Sequence, residues 1–220
     1  MIRVFVVFFL CMSLPIAALS QKNVIRYGIK TGLSTAFVVS RGVGDNNSSF
    51  SGILPSFSIS ASKEQQKGQL IFGHELRLYR DGARYVIHWV QTDQKITAVH
   101  ARYNIGINGY FGKLYQLSHK KKSQLGITSG IWVAYTPIEY FRVDREKTWD
   151  ANYAKPFDGG ISVGGVFRKS GKHKKQNVGI GLNVYYGFAN TGAFNMNIKT
   201  RSIELNGIYF FKVTQLKKKV

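Results

Sequence analysis

Cysteine is almost missing from this chain. The single one, Cys11, lies in the leading apolar segment, so the sequence beyond it offers no thiol. Disulfides, thiolate metal sites and cysteine catalysis are thereby excluded from the body of the protein. Proline is scarce, with 4 residues, and long Ala- and Leu-rich helical runs are missing. No stretch beyond the leader approaches the 18 or so consecutive apolar residues of a membrane-spanning helix. Acidic residues are few, 11 against 31 Lys and Arg, giving a formal net charge of +20. That imbalance points to an anionic partner such as lipid, lipopolysaccharide, nucleic acid or an acidic polymer.

What the chain does have is 23 glycines and 14% aromatic residues, a composition that favours strands. At 220 residues it is long enough for one domain. Its start is set apart from the rest. Arg3 gives a positive n-region, Val4–Met12 an apolar core, Pro15 a break, and Ala18-Leu19-Ser20 a small-residue cleavage site. Residues 1–20 are expected to be a signal peptide cleaved before Gln21. The body, 21–213, follows, and a basic tail runs from Thr214 to Val220.

From Ile25 onward apolar residues recur with period two. Eight strands are expected: Ile25–Val38, Gly52–Ser62, Gln69–Arg80, Val99–Phe111, Gln124–Tyr135, Gly160–Lys169, Val178–Phe188 and Ser202–Val213. In the seventh, Val178, Ile180, Leu182, Val184, Tyr186 and Phe188 alternate with Gly179, Gly181, Asn183, Tyr185 and Gly187. One face of nearly every strand is apolar; the other is Gly, Ser and Asn with scattered charges. A soluble barrel of this size fills its interior with apolar side chains. A Gly/Ser/Asn face with charges suits instead the interior of an inside-out barrel, so an all-β, eight-stranded antiparallel transmembrane up-and-down β-barrel is expected. A soluble periplasmic lipocalin-like binder is the competing reading, since its strands alternate too.

The expected connections alternate as well. Arg41–Ser51, Asp81–Ala98, Thr136–Gly159 and Asn190–Arg201 are longer and mixed in polarity. Lys63–Gly68, Leu114–Ser123 and Ser170–Asn177 are short and Lys-rich. Long loops outside and short turns in the periplasm is the outer-membrane pattern. Tyr27, Phe37, Phe111, Tyr135, Phe188 and Phe211 fall near strand ends, where interfacial girdles form.

The opening YGIKTGLSTAF, the Gly/aromatic alternation and the closing SIELNGIYFFKV resemble the outer-membrane β-barrel family that includes PorT-like proteins. The resemblance implies a small bacterial outer-membrane barrel and spans nearly all of the chain beyond the leader. The tail Thr214–Val220 departs from it, standing where such barrels end on an aromatic residue.

For chemistry, the five histidines His74, His88, His100, His119 and His173 show no metal-ligand spacing. Patterns such as Gly179-Ile180-Gly181 are strand alternation and do not open a helix. No catalytic, cofactor or metal residue is expected, and the chain is read as non-enzymatic. Arg26, Lys30, Glu75, Arg77, Arg102, Arg168, Glu204 and Lys212 are expected to form a lumen charge network plugging the barrel. Tyr140, Phe141, Arg142, Trp149, Tyr153 and Phe157 are candidate surface-loop contacts. The lysine clusters, Lys63 with Lys67, Lys120–Lys122, Lys172 with Lys174 and Lys175, and Lys217–Lys219, lack interleaved aromatics, so nucleic acid is excluded as a partner. Outer-membrane lipid and lipopolysaccharide are expected partners, with an envelope protein also open and a monomer expected. The leading functional reading is a structural or interaction scaffold without an open pore. A component of an envelope secretion or transport apparatus, or a barrel enzyme, is the alternative.

Overall fold

The computed structural model describes residues 23–41, 54–89, 94–118, 123–143, 146–149, 156–170, 177–188 and 197–216. The expected signal peptide, the end of the basic tail and the tips of several loops lie outside these. The strands are β1 (Asn23–Arg41), β2 (Leu54–Lys67), β3 (Leu70–Trp89), β4 (Gln94–Ser118), β5 (Ser123–Val143), β6 (Glu146–Trp149), β7 (Phe157–Ser170), β8 (Asn177–Gly187) and β9 (Asn197–Leu216). All pairings are antiparallel between neighbours in the chain, except that β7 pairs β5 directly and β1 pairs β9. Eight strands therefore close on themselves, and the short β6 hangs on the edge of β5 alone.

The ladder fixes the geometry of closure. Paired residues lead from Arg26 through Glu64, Gly73, Tyr110, Gly130, Ser162, Tyr185 and Ser202, and return to β1 at Ala36, ten residues further on. A stagger of this size inclines the strands by roughly 40° to the barrel axis. An eight-stranded barrel is just wide enough for side chains to fill.

Several strands outrun their expected ends. Lys63–Lys67 continues β2, and the hairpin to β3 is only Gly68-Gln69, between paired Lys67 and Leu70. Gly68 adopts φ 61°, a left-handed conformation that costs glycine nothing. Much of Asp81–Ala98, expected as a loop, is the paired continuation of β3 and β4, with Trp89 opposite Gln94. The first part of Thr136–Gly159 is β5, which runs to Val143. Thr214, Gln215 and Leu216 belong to β9 rather than to a free tail. These segments lack a clean apolar face, so period two was invisible there, yet their backbones pair as those nearer the barrel middle do.

Candidate functional site

Alternation sorts the side chains into a lumen and an outer wall. Ser56, Ser58, Ser60, Ser62 and Glu64 of β2 are buried, while Phe57 and Ile59 between them are about half exposed. The same division runs through the middle of the other barrel strands; it lapses at 99–102 of β4, all buried, and at the β9 bulge described below.

The lumen is filled in layers. At the end bearing the Gly68-Gln69 turn, Ile71, Leu114, Val166, Ile208 and Phe210 pack together, with Val213 against them. Among them Glu64 is fully buried. It accepts a bidentate pair of hydrogen bonds from Arg168, Nη1 at 2.6 Å and Nη2 at 2.5 Å. Arg26 Nη1 at 3.4 Å and Tyr110 Oη at 3.2 Å donate to the same carboxylate. Tyr110 lies over Gly73, where a Cβ would meet its ring at 2.3 Å, so glycine there is what admits the tyrosine.

Midway, Lys30 Nζ donates to Glu75 at 2.5 Å and Asn108 Nδ2 donates to it at 3.1 Å. Arg77 pairs with Glu204 and stands 3.9 Å from Glu75. Its guanidinium is sandwiched near the rings of Tyr79 and Tyr185, at 4.6 and 4.0 Å from their centroids. Tyr185 meets Trp132 edge-on at 6.4 Å, and Trp132 Nε1 donates to the Ile161 carbonyl at 3.1 Å. Towards the other end, Arg102 Nη2 donates to Thr136 Oγ1 at 2.7 Å, Thr136 donates to Asn104 at 2.6 Å, and Asp158 lies 3.9 Å from Arg102. Beyond them His100 pairs with Glu139.

Of the eight residues expected in the lumen, Arg26, Lys30, Glu75, Arg77, Arg102, Arg168 and Glu204 meet there in this way. Lys212 does not: it is exposed on the outer wall. The ladder explains why. Tyr27 pairs with Lys212 but Gly28 pairs with Phe210, so Phe211 is an extra residue, a β-bulge that reverses the alternation. Val213 turns inward for the same reason.

The main acidic hub was missing from the sequence reading. Glu64 sits in Ser62-Lys63-Glu64-Gln65-Gln66-Lys67, which reads as a polar turn. Asp81, Glu139 and Asp158 fell within expected loops. The available signal was scarcity: of the 11 acids, Glu64, Glu75, Asp81, Glu139, Asp158 and Glu204 are buried in the barrel. A cavity of about 20 Å³ remains beside Lys30, Glu75 and Asn108, room for about one water. Among the described residues, no group of three or more His, Cys, Asp or Glu is arranged to hold a metal.

The candidate loop contacts are redistributed. Tyr140 is buried, because β5 continues past it opposite Ala101 of β4. Its hydroxyl accepts from Arg80 Nη2 at 2.8 Å and its ring lies 6.3 Å from Tyr103, so it belongs to the barrel wall and not to a loop. Phe157 opens β7 and packs 5.3 Å from Tyr135, again on the wall. Arg142 is exposed. Phe141 and Trp149 are placed in β5 and β6, with their side chains outside the described residues, as Tyr153 is altogether.

The outer wall decides the environment. Along β8, Val178, Ile180, Leu182 and Val184, and Phe188 just beyond it, are each about half exposed. At about 3.3 Å per residue and roughly 40° of tilt, that run covers about 25 Å, the height of a barrel's apolar band. Leu33, Phe57, Leu76, Ile105, Ile131, Val163 and Leu205 continue it round the circumference. An apolar surface this extensive, around a charged interior, cannot face water. The chain is a transmembrane β-barrel. The lipocalin-like reading fails on the same observation, since its apolar side would lie within.

No protein-family profile and no curated protein sequence matches this chain. Similar solved structures include Neisserial surface protein A, at 13% identity over 84% of this chain and 96% of that one, TM-score 0.42. Ail of Yersinia pestis, in complex with the heparin analogue sucrose octasulfate, is 10% identical over 87% of this chain and 100% of its own, TM-score 0.40. OprG, an outer membrane protein of Pseudomonas aeruginosa, is 10% identical over 89% and 95%, TM-score 0.43. At these levels neither ligand nor role transfers to this chain, and the barrel assignment stands on its own ladder and wall.

Proposed function

We propose that this protein is a small integral outer-membrane barrel that acts as a closed scaffold, displaying its loops to an outside partner, without an open pore and without catalysis. The observation that carries the reading is the combination of a lipid-compatible wall with a lumen filled by successive paired layers. A bilayer core admits strands only as a closed barrel, because every backbone group must be bonded internally. Secretion through a cleaved signal peptide, suggested by residues 1–20, supports the outer membrane as the bilayer concerned, as does the pattern resemblance to PorT-like barrels. The orientation proposed puts the termini and the short turns in the periplasm.

The test is the electrophoretic mobility of the full chain extracted in mild detergent, before and after boiling, with the cell fraction recorded. An outer-membrane fraction and a heat-modifiable band are expected. A soluble periplasmic protein with one mobility overturns the proposal.

A further inference from the structure

The bulge at Phe211 does more than break an alternation. By turning Lys212 outward it completes a line of polar side chains across four adjacent strands of the lipid-facing wall. Ladder partners run Lys212 of β9, Tyr27 of β1, Lys63 of β2 and His74 of β3, and end at Gly109 of β4. Lys212, Lys63 and His74 are exposed, and Tyr27 is partly buried between the two lysines. The two ammonium groups stand over its ring, Lys63 at 6.0 Å and Lys212 at 5.8 Å from the centroid. Every acidic side chain that the structure describes is buried, so among the described residues this stripe has no carboxylate to pair with. Elsewhere on the same strands the wall is apolar, with Ile29, Leu33, Phe57, Ile59, Phe72 and Leu76 exposed.

We propose that this stripe is a binding site for an anionic glycerophospholipid of the adjacent leaflet, its phosphodiester held between Lys63 and Lys212 against Tyr27. The inference rests on the bilayer placement proposed above. The chemistry follows from the setting. Ammonium groups at the rim of an apolar wall need a counter-ion, and headgroup phosphate is the anion a membrane supplies at that depth. The aliphatic stems of both lysines lie along the wall while their charged ends reach the headgroup level. The Tyr27 hydroxyl is a donor for the same phosphate. A zwitterionic headgroup offers the site no net negative charge, so phosphatidylglycerol is preferred to phosphatidylcholine.

The experiment reconstitutes the full chain in phosphatidylcholine vesicles with a trace of spin-labelled phosphatidylglycerol or spin-labelled phosphatidylcholine. The motionally restricted fraction is read by electron paramagnetic resonance. A several-fold preference for phosphatidylglycerol is expected, falling by more than half in Lys63→Gln/Lys212→Gln. The control Lys113→Gln/Lys169→Gln removes equal charge from the same end of the wall outside the stripe, and should leave most of the preference. No preference in the unaltered protein, or equal losses in both double variants, overturns the site. Heat-modifiable mobility is recorded on each sample: its absence would refute the barrel reading itself, whereas a folded barrel without selectivity refutes only the lipid site.

Discussion

Glu64 is surrounded by two guanidinium groups and a phenol, and what happens when its charge is removed follows from that neighbourhood. A Glu64→Gln side chain fills the same space but leaves Arg26 and Arg168 without their shared counter-charge inside the barrel. Breaking a buried pair from one side is far costlier than never having had it, on the order of 3–5 kcal/mol. Equilibrium urea unfolding in lipid vesicles should show a loss of that size for Glu64→Gln and little change for Lys212→Gln, whose charge sits on the outer wall. Equal effects would mean that Glu64 is not the hub the distances describe. At this scale the sequence was partly legible. Inward charges on strands with a clean apolar face, such as Glu75 and Arg77 alternating with Leu76 and Leu78, could be placed by parity alone. Glu64 could not, because polar residues flank it on both parities and nothing in Lys63–Lys67 distinguishes a strand facing headgroups from a turn.

Strands were legible wherever a single apolar face met lipid, and illegible wherever that contrast stopped. β8, apolar on one parity and small or polar on the other, was read nearly to the residue. The extensions of β3, β4 and β5 reach beyond the run of about ten residues needed to cross a bilayer, and there the outward face has no reason to be apolar. Bulges are harder still, since one inserted residue leaves composition unchanged while reversing every later side chain. Two expected outcomes belong here. Leu182→Arg places a charge at mid-wall on β8 and should destabilise the barrel by about 2–4 kcal/mol in lipid. Gly181→Leu next to it should act by crowding, since a Cβ there already meets Asn206 Oδ1 at 2.6 Å. Detergent of shorter chain should relieve the first loss and not the second; relief of both would remove the distinction between wall and lumen. Deleting Phe211 should remove the bulge yet leave Phe210 inward, Lys212 outward opposite Tyr27 and Val213 inward, the sides they already take. It should therefore cost no more in urea midpoint than Phe211→Ala, which keeps the bulge. A larger loss from the deletion would show that β9 needs the bulge itself and not only the sides it sets.

On the closed-scaffold reading proposed above, the described layers obstruct the lumen in series, and an expected electrical behaviour follows. Ion passage along the axis meets the cluster of Ile71, Leu114 and Phe210 with the Glu64 network, then the Arg77 sandwich of Tyr79 and Tyr185 braced by Trp132, then the Arg102–Thr136–Asn104 chain and the His100–Glu139 pair. Conduction requires every obstruction to open together, because resistances in series add and a single closed layer suffices. Purified protein in planar bilayers should accordingly give no steady, ion-selective current. Thinning one layer should not change this: Leu114→Ala/Phe210→Ala empties space at the turn end but leaves the aromatic layer and the Arg102 layer intact. Trp132→Ala likewise leaves the Glu64 end shut. Even Leu114→Ala/Phe210→Ala/Trp132→Ala, which thins two layers at once, leaves the Arg102–Thr136–Asn104 layer shut, and no steady current is expected from it either. Steady conductance from the unaltered protein would mean that the layers part in the membrane and that the barrel is a pore. Steady conductance from either single-layer variant would show that the remaining layers do not seal, and would assign the barrier to the layer that was removed.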